Sequence, residues 1–378
     1  MSDPSVSRVP ALRLNFRLGV DAAAENRAAL QRAIDAGAGE IVVGGQGVFD
    51  LFGPVVLRSG THLRFEKGVY VRRQAEPGVI ANSLFINAGA MSDAWDEDIA
   101  LDGLFLIANG VDPQWSKPVL RQGICSQVSF FHVKDLVVRG YTCLDLPEQG
   151  FGVQICSFEN LLVEDVHIEG KKDGVHLGPG RAFVIRNGIF RTYDDPIALN
   201  AFDYAISNPE VGWIEDGLVE NCVDLDQPTT EGFFCRFPIG SWCEWFPGME
   251  VRCSTAVLHG GRLYRVIMPP DGKTYTSQTC PTHESGYVTL DGITWYMMQK
   301  TDGTDAAVRD VTFRNIRLCK RRRVGFAITT EDHEWHRAIY PGTKPPFCER
   351  IRIENLSVEV TVGELVGCQA PGDVTLET

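Results

Sequence analysis

The chain has 378 residues, 44% of them hydrophobic and 22% charged, with a net charge of −13. That length supports a sizeable core, and the make-up is that of an ordinary globular protein. The acidic balance, with no Lys/Arg-rich arm, argues against nucleic acid as a partner, and no run of eighteen apolar residues is present to cross a membrane.

At the start, Met1-Ser2-Asp3-Pro4 lacks a basic segment followed by an apolar core. No signal peptide is read there, so the expected compartment is cytoplasmic, or secreted if a leader has been trimmed away. Asp21 as N-cap, a run of strong helix formers, and Gly37 as terminator predict one helix over about 22–36. Ala23, Leu30 and Ile34 share its apolar stripe. Short β-like runs follow at 40–43, 55–57 and 61–65, with turns at Gly44-Gly45 and Ser59-Gly60. A lone helix before many short strands suits a plug on the open end of a β-solenoid, whose bare edge would otherwise pair with other chains.

From residue 100 a strand-then-turn unit recurs at Val138-Arg139-Gly140, Val163-Glu164-Asp165, Ile185-Arg186-Asn187, Val219-Glu220-Asn221, Phe313-Arg314-Asn315 and Ile353-Glu354-Asn355. Each unit is an inward apolar residue, an outward charge, and a residue that tolerates the left-handed turn conformation. The separations are 25, 22, 34, 94 and 40 residues. The interval of 34 reads as one coil with an insertion, and that of 94 as further coils, one at Leu290-Asp291-Gly292, plus a long insertion.

A second pattern keeps step with the first. Val153, Val175 and Ile197 recur at a spacing of 22, each inside an apolar-x-apolar run. Two strand patterns in fixed relative phase describe an all-β parallel β-helix over 1–378 as a single domain. A β-sandwich with strands about 8–12 residues apart does not produce them. Inter-coil loops at about 201–215, 240–286 and 320–348 carry many aromatics, among them Tyr204, Trp242 and Trp335. Loops of this kind gather on one face of a solenoid, where flat rings stack on sugars, although any single Trp is better read as packing its own loop. The 240–286 loop is expected beside the acidic face described next.

If each period is one rung, Asp195 lies over Asp173 at the inter-strand spacing of roughly 4.8 Å, with Asp194 alongside. One Asp at a turn is read as a backbone cap. Three in consecutive coils point instead to acid–base chemistry, because crowding raises at least one pKa. Gln154 and His176 occupy outward positions near Asp173 and are expected to line the cleft, and Arg236 falls one coil beyond Asp195. Lys172 is in register with Asp194 and would lower its pKa unless it points away. His333-Glu334-Trp335-His336 lacks the spacing of a zinc-protease motif and reads as a surface loop. Lys320-Arg321-Arg322-Arg323 reads as a solvated face. The eleven cysteines lack C-x-x-C spacing and read mostly as small buried residues of a reducing compartment.

Lys172-Asp173-Gly174, followed by Asp194-Asp195-Pro196-Ile197-Ala198-Leu199-Asn200, resembles the N-T-D-G and D-D-C-I-A-I-N segments of the polygalacturonase-type glycoside hydrolases, family 28. These belong to the pectin-lyase-like right-handed parallel β-helix superfamily. The opening helix and the 39–43 and 58–63 segments are similar too, and the resemblance runs to about Asn221. It implies inverting hydrolysis of a glycosidic bond in a poly- or oligosaccharide, with no metal or other cofactor. Asp194 is then the general acid, and Asp173 and Asp195 hold and deprotonate the water. The expected carbohydrate contacts are Gln154, Lys172, His176, Asn200, Arg236 and Trp242. The sequence departs from the family where Lys171-Lys172 replaces Asn-Thr, where 232–237 replaces the G-H-G segment, and where the R-I-K segment has no clear counterpart. These changes argue against polygalacturonate and leave a neutral or differently decorated glycan. The alternatives are a lyase or transferase of the same fold, with calcium on the acidic cluster, and a non-catalytic glycan-binding β-helix. The sequence leaves the oligomeric state open.

Overall fold

The computed structural model describes residues 11–113, 121–228, 231–321, 324–360 and 362–377. The N-terminal Met1–Pro4 segment, and Arg322 and Arg323 of the basic run, lie outside them.

Short parallel strands stack into a right-handed parallel β-helix with three sheet faces. The strands Phe151–Glu164, Gly180–Arg186, Ile214–Glu220, Val308–Leu318 and Cys348–Val358 follow one another up one face. Val175–Leu177, Ile197–Leu199, Cys235–Pro238 and Val324–Thr329 follow one another up another. Val153, Val175 and Ile197 are directly paired, point inward, and are fully buried, as the 22-residue spacing requires. Burial of such an aliphatic side chain stabilises by about 1.5–3 kcal/mol, and the ladder repeats that gain at every coil.

The recurring turn residues sit where the spacing puts them. Gly140, Asp165, Asn187, Asn221, Asn315 and Asn355 all have φ between 50° and 63°. Asn side chains tolerate this region and here also bond along the stack: Asn221 Nδ2 donates to Asn187 Oδ1 (3.3 Å) and Asn315 Nδ2 to Asn221 Oδ1 (3.0 Å). Beside this ladder, outward charges alternate in register as Asp102, Arg139, Glu164, Arg186, Glu220, Arg314 and Glu354. The alternation follows from the parallel register, which would place like charges over one another if the sign did not switch.

The interval of 94 residues hides no coil. Val219 pairs directly with Phe313, so the interval is a single coil: Val223–Asp224 and Cys235–Pro238 stay in the solenoid, and the excursion is the insertion that leaves at Gly240 and returns at Ala306. Leu290-Asp291-Gly292 belongs to a tight antiparallel hairpin between Tyr287–Leu290 and Ile293–Lys300, part of a five-stranded inserted sheet. That sheet has its own apolar cluster around Trp295, Tyr264 and Met249. The β-turn chemistry of Asp-Gly is common to solenoid corners and hairpins, so the dipeptide alone does not tell a coil from a hairpin.

The helix runs Ala23–Asp35, preceded by a short 3-10 turn. Asp21 lies in that turn and does not cap the helix, whose N-cap is Ala22 with no side-chain bond. Leu30, Ala33 and Ile34 enter the solenoid core. Two polar side chains of the helix serve the first coil's free edge. Gln31 bonds both the N–H (2.8 Å) and the C=O (3.0 Å) of Val56, and Asn26 donates to the C=O of Asp50 (2.9 Å). Backbone groups that would otherwise recruit another strand are thus satisfied.

All eleven cysteines are free and six are buried.

Candidate active site

Asp173 and Asp195 end the turns that feed Val175–Leu177 and Ile197–Leu199. Their backbones are held in step, because Gly152 N–H donates to Asp173 O and Gly174 N–H to Asp195 O, both at 2.9 Å. Gly174 follows from that closeness: a Cβ there would meet Pro196 O at 2.6 Å and Phe190 at 2.7 Å. One coil further on, Gly232 has φ +72°, and a Cβ on it would fall 2.4 Å from Asp195 Oδ1 and 2.7 Å from Asp194 Oδ1. Only glycine lets this backbone close over the acids.

Asp173, Asp194 and Asp195 each place an oxygen within 4.8 Å of the others. Their surroundings differ. Asp195 is 1% exposed. Its Oδ1 accepts the Phe233 N–H at 2.6 Å, while Oδ2 lies 3.4 Å from Arg236 Nε and has no hydrogen-bond partner among the described residues. Burial, then the charges of Asp194 and Asp173, push its carboxyl well above the usual range, against the pull of Arg236 and of the Phe233 N–H. Asp194 is the open member, with its side chain 21% exposed, and it is ion-paired with the Lys172 ammonium. Burial disfavours that ammonium, but Asp194 and Asp173 outweigh it and hold the Lys172 pKa above its ordinary value. Asp173 is buried, with Oδ2 2.9 Å from His176 Nδ1.

The cleft over these acids encloses about 550 Å³. Its far wall is a network around Arg236, whose Nη1 donates to Glu331 Oε1 at 2.8 Å. Glu331 Oε2 accepts the Tyr204 hydroxyl at 2.8 Å and lies 3.2 Å from His333 Nε2. Burial would raise the Glu331 carboxyl, but Arg236, Tyr204 and His333 hold it below its usual value. Trp335, 40% exposed, and Phe233 supply ring faces at the rim.

Of the residues expected here, Asp173, Asp194, Asp195, Lys172 and Arg236 line the cleft together. The others stand elsewhere. Gln154 is buried and ties two loops down, with its amide bonding Cys125 N–H (2.9 Å), Gly123 O (2.7 Å) and Ser207 O (2.7 Å). His176 is fully buried behind Asp173, under the Phe151 ring at 3.9 Å, with Nε2 on Asn208 Oδ1 at 2.8 Å. Asn200 is buried beside it and donates to Asp203 Oδ2 at 3.0 Å. An outward position on a solenoid is open only where no loop covers it, and the 201–213 segment covers these three. Trp242 is a core residue stacked on Phe202, with its indole N–H on Gly303 O at 2.9 Å, and it does not reach the cleft.

No residue of the 240–286 loop lines the cleft either. Instead it supports the 201–213 segment from outside: Arg265 donates to Asp203 O at 2.7 Å, and Ser254 Oγ accepts the Ala205 N–H at 3.1 Å. Asp203 and Glu331 also line the cleft, with no motif in the sequence to mark them. The segment from 333 to 336, read as a surface loop, sends His333 and Trp335 into the cleft and buries His336. The only sequence signal for this was the aromatic content of the inserts.

The acidic cluster suits a divalent cation poorly. Calcium takes six to eight oxygens, whereas the Lys172 ammonium already sits on Asp194 and the Arg236 guanidinium beside Asp195. Side chains supply the positive charge that a metal would bring.

No protein-family model matches the chain, and no curated relative does. Among solved structures it is similar to the polygalacturonase from Erwinia carotovora ssp. carotovora, at 13% identity over 99% of this chain and 98% of that one, with a TM-score of 0.48. It is also similar to an iota-carrageenase complexed to iota-carrageenan fragments, at 11% identity over 99% and 89%, with a TM-score of 0.43. A third is PfbA, a surface adhesin of Streptococcus pneumoniae, at 13% identity over 92% and 89%, with a TM-score of 0.39.

Proposed function

We propose that the protein is a glycoside hydrolase that cleaves a glycosidic bond with Asp173, Asp194 and Asp195 and without a metal. The observation that carries this reading is the unequal treatment of adjacent acids in an open cleft. Asp195 is buried with its pKa pushed up, and Asp194 is half-buried and salt-bridged. Titratable neighbours driven apart in this way are what acid–base hydrolysis of an acetal needs.

Burial favours the proton on Asp195, while Asp194 lies against the Lys172 ammonium. Asp194 is placed to touch a leaving-group oxygen, because it is the most exposed of the three acids that line the cleft. Removing water alone strengthens the Asp194–Lys172 pair, so the proton passes from Asp195 to Asp194 only when a seated sugar displaces the Lys172 ammonium from Asp194. That one transfer arms the acid and leaves Asp195 ionised, so that with Asp173 it can orient and deprotonate a water for inversion. Trp335 and Phe233 offer the ring faces for the sugar, and Arg236 with Glu331 fixes its hydroxyls.

A second reading rests on spacing. Inverting pairs stand about 6.5–9.5 Å apart and retaining pairs about 5–5.5 Å, and these acids approach within 4.8 Å. That closeness favours direct attack by a carboxylate and retention of configuration. A screen of defined oligosaccharides with product-anomer analysis tests both readings. Hydrolysis with inversion supports the first mechanism, and retention the second. An unsaturated product, or binding without turnover that Asp194→Asn leaves unchanged, removes hydrolysis altogether.

A further inference from the structure

On the other side of the 201–213 segment from the acids lies a separate cavity of about 860 Å³, between the solenoid and the inserted sheet. The segment serves both spaces, since Tyr204 and Ser207 face the cleft while Glu210 faces the cavity. We propose that this cavity is a second saccharide-binding site, selective for neutral sugars and independent of the acids.

Its walls are fixed in place before any ligand arrives. Glu210 accepts the Ser157 hydroxyl and lies 3.2 Å from His132 Nε2, while His132 is held between the Phe131 ring (3.9 Å) and Trp95 (5.2 Å). Gln122 donates to Ala205 O at 3.1 Å and accepts the Tyr287 hydroxyl at 2.9 Å, joining the solenoid to the inserted sheet. The Gln299 amide pairs with the N–H and the C=O of Val211, both at 2.8 Å. Preorganised polar groups lose little entropy on binding.

The chemistry of the lining selects the ligand class. Tyr287 is 51% exposed at the mouth, backed by Tyr296 with ring centroids 4.8 Å apart. Such a face matches the C–H side of a pyranose, and planar carboxylate and amide groups match its hydroxyls. Most of the wall's charges are answered: Arg121 is paired with Asp93 and Glu284 with Arg262, Glu210 accepts the Ser157 hydroxyl beside His132, and Lys300 is the one lining ammonium outside these pairs among the described residues. Among the described residues a single ammonium is no cluster for a phosphate or a polyanion, and the volume of about 860 Å³ admits more than a single ring.

The test is calorimetric titration of the full chain carrying Asp195→Asn, so that nothing is consumed, with neutral cello-, manno-, xylo- and galacto-oligosaccharides and with oligogalacturonate as the charged comparator. At least one neutral series is expected to bind. Tyr287→Ala should weaken that binding tenfold or more, Tyr287→Phe should keep it within threefold, and Trp335→Ala, in the cleft, should leave it unchanged. If Tyr287→Ala disturbs the inserted sheet, Gln122→Leu alters the same wall from the solenoid side and should weaken binding as well. The proposal is overturned if no neutral series binds, if oligogalacturonate binds more tightly, or if Trp335→Ala removes the binding and the wall variants do not. None of these outcomes depends on whether the acids hydrolyse anything.

Discussion

The ammonium of Lys172 is ion-paired with the carboxylate of Asp194, which stands 22 residues and one coil further along the chain. The two occupy the same register position on successive rungs, so the contact is built into the solenoid period. It places a cation on the most exposed of the three acids.

Replacing that cation should move the pH dependence of hydrolysis. In Lys172→Met the opposite charge beside Asp194 is gone, so the carboxyl cluster gives up its protons at higher pH. Both limbs of the kcat/KM profile are expected to shift upward, because the acid stays protonated and the base must be ionised over a higher range. A profile superimposable on the parent's would show that Lys172 does not act on the reacting acids.

Asp195 should lower stability as pH rises. Its folded-state pKa lies above its unfolded value, so the folded protein holds a proton that the unfolded chain has released. Stability from this group is fully present below the unfolded pKa, about 3.9, and is lost as pH climbs through the folded pKa. Asp195→Asn keeps the shape without the ionisation. Its melting temperature should match the parent's near pH 4 and exceed it increasingly toward neutral pH. A constant difference across that range would contradict the assignment.

Removing the acid and removing the base should be distinguishable. Asp194→Asn and Asp195→Asn are each expected to lose about 10²–10⁴-fold in turnover. An aryl glycoside with a good leaving group needs little protonation, so it should partly restore Asp194→Asn and not Asp195→Asn. Equal rescue of both variants would mean that the two acids do not divide the work in this way.

The asparagine ladder should carry measurable stability. Asn221→Ala removes side-chain bonds to two neighbouring coils and puts a Cβ residue without local compensation at φ 55°. A cost of about 1–3 kcal/mol follows from the two bonds and the left-handed backbone. Asn221→Gly restores only the backbone term and should fall between parent and Ala in denaturant midpoint. Should Gly be the weaker of the two, the backbone argument fails.

The solenoid was legible because its cause is local and periodic. Val153, Val175 and Ile197 repeat at the spacing the stack enforces, and each turn residue announces its own left-handed φ. The three acids were legible for the same reason. The remainder of the cleft comes from excursions that obey no period. Glu331 and His333 reach it on a hairpin more than 130 residues after the acids. Gln154, His176 and Asn200 point outward yet stand away from the cleft, because the 201–213 segment lies across them. Trp242 fills a core against Phe202, since composition alone does not separate a loop Trp that packs from one that faces a ligand.

The inserted sheet leaves and rejoins the solenoid through a narrow neck, in which Gly240 pairs with Ala306 and Ser241 with Asp305. Those two ends lie side by side, so a short turn spliced between them would close the chain without disturbing the Val219–Phe313 rung. Such an excised protein should still coil. It would, however, lose Arg265 and Ser254, the struts under Asp203 and Ala205. The segment carrying Tyr204 would then sag away from Glu331, and a module that contributes no atom to the cleft would prove to be its scaffolding.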